Sequence, residues 1–111
     1  MITEAALEKF KELYETYCLI PDAVFVLNIG YTKTQDGRRF KSGFYWFGRH
    51  REDKQYTELN DLKFDIQFKK EYTIDVDNKG ELVLSYNGRN HKMRASFHSF
   101  SRSKMFNKET E

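Results

Sequence analysis

The stretch KSGFYWFGRHR, Lys41 to Arg51, sets four aromatic residues in a row between basic ends. Along a strand, successive side chains point to opposite faces. The even positions then read Phe40, Ser42, Phe44, Trp46, Gly48 and His50, apolar through the middle. The odd positions place Tyr45 and Phe47 among Arg39, Lys41, Arg49 and Arg51. The even set is the expected core face. The odd set is the expected partner-binding face, because aromatic residues and Arg dominate interface energetics. A competing reading packs Tyr45 and Phe47 beside Val24 and Val26, under a helix or loop, since paired aromatics are commonly core. A bulge at Gly43 or Gly48 would exchange the faces locally.

On the N-terminal side of this stretch, Thr34-Gln35-Asp36-Gly37 is a turn signal, and Ala23 to Thr32 reads as the strand before it. On the other side, His50 to Asn60 is polar and has no clear period, although a short helix there is an alternative. Leu62, Phe64, Ile66 and Phe68 then alternate with Lys63, Asp65, Gln67 and Lys69, the pattern of a strand buried on one face. Tyr72, Ile74 and Val76 follow, and Asp77-Asn78-Lys79-Gly80 reads as a turn. Glu81 to Tyr86 is a further strand, and Asn87-Gly88 is the strongest hairpin signal in the chain. His91 to Phe100 closes the series.

Ahead of Pro21, Ala6, Leu7, Phe10, Leu13, Tyr14 and Tyr17 recur at helical spacing, with Thr3 as a capping residue. The expectation is an amphipathic helix over 4–17, stopped by Pro21. Short turns force antiparallel neighbours. The expected fold is therefore α+β: an N-terminal helix packed on a curved, mainly antiparallel meander of five to six strands. It forms a single domain over 1–111, with the sheet in 22–100 and a frayed tail in 101–111.

Charge is uneven along the chain. Residues 31–51 hold six bases and one acid, and residues 82–111 six bases and two acids. Residues 52–81 hold nine acids and five bases. Such asymmetry bears on partners rather than fold. The last strand repeats the basic and aromatic theme: Lys92, Arg94, His98, Phe100 and Arg102 share a face, and His91 and Met93 lie on the other. The expected partner-binding set is Arg39, Lys41, Tyr45, Phe47, Arg49 and Arg51 together with those five residues.

Chemistry is sparse. A single cysteine, Cys18, excludes an internal disulfide and a Cys-based zinc site. The run Asp75 to Gly80 fails as a calcium loop, because Lys79 stands where an oxygen ligand belongs. The glycines form no phosphate loop. No cofactor, metal or catalytic residue is expected, and neither is a membrane partner. The charged start and the lack of disulfides fit a cytoplasmic location.

Three functions fit this reading. The first is a non-enzymatic inhibitor or adaptor, an accessory factor of bacterial or phage type, docking on a protein or nucleoprotein. The alternative is a direct binder of single-stranded nucleic acid. A third is a metal-independent ribonuclease using His50 and His98, which needs a base, an acid and cations for the phosphate.

Overall fold

The computed structural model describes residues 1–96. The tail expected at 101–111, and with it His98, Phe100 and Arg102, lies outside the described residues.

Among the described residues, one helix and seven strands share a single core. Helix α1 spans Glu4–Tyr17. Strands β1 (Ala23–Lys33) and β2 (Arg39–Arg49) form a long central hairpin. β3 (Thr57–Leu59) and β4 (Leu62–Ile66) make a short second hairpin. β5 (Thr73–Val76), β6 (Leu82–Tyr86) and β7 (Arg89–Ala95) form a meander. The sheet order is β3-β4-β1-β2-β7-β6-β5.

The α+β class stands, but the expected sheet needs correction. It has seven strands and is mixed. Every tight turn does join antiparallel neighbours. The parallel pairs arise where one hairpin joins the next: β4 lies parallel to β1, and β7 parallel to β2. The extra strand is β3, within the stretch read as irregular. Asn60 and Asp61 both take positive φ (51° and 62°) in the two-residue turn that follows it. Asn and Asp tolerate that conformation, so the turn signal was present in the sequence.

Residues 67–72 carry the chain from β4 to β5 at the far edge, five strand spacings away. A flat sheet would put that gap at roughly 24 Å, about the full reach of the link. Curling the sheet into a half-barrel shortens the gap. Phe68 and Tyr72 then meet edge-on at 5.1 Å.

The helix packs on the core face of the sheet. Thr3 caps it by accepting from the Ala6 amide at 3.2 Å, and its hydroxyl donates to Asp75 Oδ1 at 2.8 Å. Phe10 is the centre of the core. Its ring lies 4.9 Å from Phe25, 5.3 Å from Phe64 and 5.8 Å from Tyr45. Tyr14 reaches Phe47 at 6.1 Å.

Candidate anion-binding cleft

The odd face of β2 is the core face, opposite to the first expectation. Tyr45 and Phe47 are 8% and 4% exposed and lie under α1. Burial, and then the neighbouring Tyr17, push the Tyr45 phenol above its usual pKa. The competing reading, rings packed under the helix, describes their position. Their strand neighbours are Leu27 and Phe25 rather than the two valines. The physical reason is β4. Its one clean apolar row, Leu62 and Phe64, aligns with Phe25 through the Phe25–Phe64 pair. The large apolar side chains therefore sum on the Phe25 side, and the helix packs there. No bulge intervenes: β1 and β2 pair without a break from Ala23–Arg49 to Lys33–Arg39.

Phe44 and Trp46 consequently lie half-buried on the outer face, and Phe40 is 38% exposed there. Gly43 pairs with Met93, which puts Lys92 and Arg94 on that outer face as well. The Arg94 guanidinium sits 5.6 Å from the Phe40 ring centre. The two basic rows of the expected partner-binding set thus lie on opposite faces of adjacent strands. Arg39 and Lys41 are also separated from Arg49 and Arg51. Eight residue steps of strand, roughly 26 Å, separate Lys41 from Arg49. Arg51 pairs with Asp53 at 2.8 Å.

Strand pairing assembles a different basic surface. The end of β1, the start of β2, the start of β7, the end of β6 and the start of β5 all lie at one end of the sheet. That end collects Lys33, Arg38, Arg39 and Lys41 from the first hairpin, Arg89 and His91 from β7, and Lys69 and Lys70 from the link. Its carboxylates are Asp36, which pairs with Arg38 at 2.9 Å, and Glu71.

Within this end lies a cleft of about 590 Å³, to which no residue of α1 contributes. It is lined by Lys41, Lys70, Tyr72, Tyr86, Asn87, Arg89 and His91. Among the described residues, no carboxylate lines it and none of its four basic side chains has an ion pair. Tyr72 is buried and backs Tyr86 at 5.0 Å. Lys70 Nζ lies 5.3 Å from the Tyr86 ring centre. At the rim, the Arg39 guanidinium lies 4.8 Å from the ring of Tyr31, which is 61% exposed. The two-residue turn Asn87-Gly88, with φ of 51° and 77°, is what brings Tyr86 and Arg89 side by side. Sequence reasoning missed Lys70, Tyr72, Tyr86, Arg89 and His91. The available signal was the Asn-Gly hairpin with an aromatic before it and a base after it.

His50 sits at the opposite end of the sheet. Its Nδ1 is 3.9 Å from Asp22 Oδ2, an ion-pair distance rather than a hydrogen bond. Asp22 also meets Lys63 Nζ at 3.4 Å and takes a positive φ of 54°. The His50 side of the ribonuclease kit thus has a carboxylate and a cation near it, and its other half, His98, lies outside the described residues. Among the described residues, no three His, Cys, Asp or Glu side chains are placed to hold a metal ion. No helix among them is long and apolar enough to cross a membrane. No protein-family model, curated protein or solved structure matches the chain.

Proposed function

We propose that this chain is a non-enzymatic binding protein for single-stranded nucleic acid, free or within a nucleoprotein. One observation carries the reading: basic residues from three separate segments meet at one end of the sheet, around a cleft that holds tyrosine rings and, among the described residues, no carboxylate. Cationic grooves with aromatic platforms suit single strands, whose phosphates need counter-charge and whose bases stack on any ring face.

The test is a fluorescence-anisotropy titration of labelled single-stranded and double-stranded RNA and DNA at low and moderate salt. Binding that prefers single strands, falls steeply with salt and weakens in an Arg39/Lys41/Arg89 triple-alanine variant is the expected result. No binding at low salt would remove the proposal. Cleavage of the probe in the same tubes would instead favour the ribonuclease.

A second reading keeps the inhibitor or adaptor role. Its support is the outer-face row of Phe40, Phe44 and Trp46 beside Arg94 and Lys92, a composition rich in interface anchor residues. A protein partner would dock there, on the face opposite the cleft.

A further inference from the structure

We infer that the cleft is a seat for one nucleotide unit: a phosphate held by Lys41, Arg89 and His91, with its base laid on the Tyr86 ring. This rests on the nucleic-acid reading and adds to it a defined subsite and a minimal ligand, a nucleoside monophosphate.

The size fits. A cleft of about 590 Å³ falls within the range of small-ligand sites, ~300–1,000 Å³. The charge fits too. A phosphate dianion entering here meets Lys41, Lys70, Arg89 and His91 and, among the described residues, no opposing carboxylate, and charge-assisted bonds to phosphate are among the stronger ones available. Those side chains make no ion pair among the described residues, so a ligand displaces none.

The ring platform separates a nucleotide from a bare anion. Tyr86 is braced from behind by Tyr72, which is 5% exposed and itself meets Phe68 edge-on at 5.1 Å. A ring held this way loses little freedom when a base stacks on it. Lys70 above Tyr86 marks a ring contact that a planar base can take over, and its ammonium is then released toward the phosphate. The Asn87 amide at the lip offers both donor and acceptor groups to a base edge.

The experiment is an NMR titration of the full chain with nucleoside 5′-monophosphates, with inorganic phosphate and the unphosphorylated nucleosides as separate arms. The expected result is a saturable shift of the Tyr86 and His91 ring signals by the monophosphate. Inorganic phosphate binds about tenfold more weakly, since one stacked base contributes on that order. Tyr86→Leu brings the monophosphate down to the affinity of inorganic phosphate. Lys41→Gln with Arg89→Gln, at sites that the core does not need, abolishes both. Equal affinity for monophosphate and phosphate would overturn the seat, as would signals that move elsewhere on the sheet. If the monophosphate leaves the cleft untouched while labelled single strands still bind, the seat falls and the broader reading stands. If neither binds, both fall.

Discussion

Gly43 of β2 stands opposite Met93 of β7 in a parallel pair, and a β-carbon on Gly43 would lie 3.0 Å from Met93 Cγ. This pairing joins the central hairpin to the meander and assigns the faces of both strands. His91 falls inside with Lys41, while Lys92 and Arg94 fall outside with Phe44. Gly48 makes a second close approach on the same strand, where a β-carbon would lie 2.9 Å from Val26 Cγ2.

These two glycines give a matched comparison. Met is flexible and gives way, whereas the β-branched Val26 is stiff. Alanine also relieves the entropic cost of glycine in a strand, by roughly 0.5–1 kcal/mol. Gly43→Ala is expected to be close to neutral, and Gly48→Ala to destabilise by about 1–2 kcal/mol. Urea denaturation measures both. A double variant, Gly48→Ala with Val26→Ala, should recover less than the sum of the two losses.

Phe10 carries the helix–sheet contact, fully buried against Phe25, Phe64 and Tyr45. Phe10→Ala is expected to cost about 3–5 kcal/mol, a large share of the stability of a small domain. Phe40→Ala, on the outer face, should cost less than about 1 kcal/mol. Comparable losses at the two sites in the same denaturation series would contradict the placement of the core.

Acid sensitivity follows from the helix cap. The Val76 amide first, and then the Thr3 hydroxyl, hold the Asp75 carboxyl below its usual pKa. A carboxylate depressed in the folded state stabilises the fold above its unfolded pKa. That contribution is lost as the pH falls through the folded value. The melting temperature should therefore drop below the ordinary carboxylate range, and drop less in Asp75→Asn. Thr3→Ala removes the cap as well, so it should lower stability by about 1 kcal/mol at neutral pH. Thermal melts of the three proteins across the acid range measure both effects.

How much of this was legible depends on locality. The helix over Glu4–Tyr17 and the Asn87-Gly88 hairpin follow from nearest neighbours in sequence, and α+β followed from them. The face of β2 did not. Both sides of β1 and β2 are apolar, so alternation alone leaves two choices, and the basic neighbours of the odd-face rings favour the surface, which is not where they lie. What decides is the non-local Phe25–Phe64 pair with the one-faced strand β4. The cleft was hidden for the same reason. Lys41, Lys70 and Arg89 come from three segments, and no spacing rule relates them. The Asn60-Asp61 turn was readable in principle, but the three-residue strand ahead of it is too short for a period to show.

The salt dependence of binding separates the basic end from the other arginines. Each phosphate contact contributes about one unit to the slope of log affinity against log salt. Arg39→Ala, Lys41→Ala and Arg89→Ala are each expected to lower that slope by about one. Arg49→Ala and Arg51→Ala, at the far end of β2, should leave it unchanged. A slope altered equally by all five would mean a diffuse charge effect and no defined site.

Trp46 is the only tryptophan, and it lies half-buried on the outer face, opposite the cleft. Its emission therefore reports on that face alone. Saturating the protein with a single-stranded oligonucleotide should leave the emission maximum in place while the anisotropy of the labelled strand rises. A protein that docks on the Phe40–Phe44–Trp46 row would shift it, because its arrival removes water from the indole. The two functions thus have separate optical signatures on one molecule. A blue shift on adding oligonucleotide would place the strand on the outer face, and both the cleft and the face assignment of the ligand would have to be abandoned together.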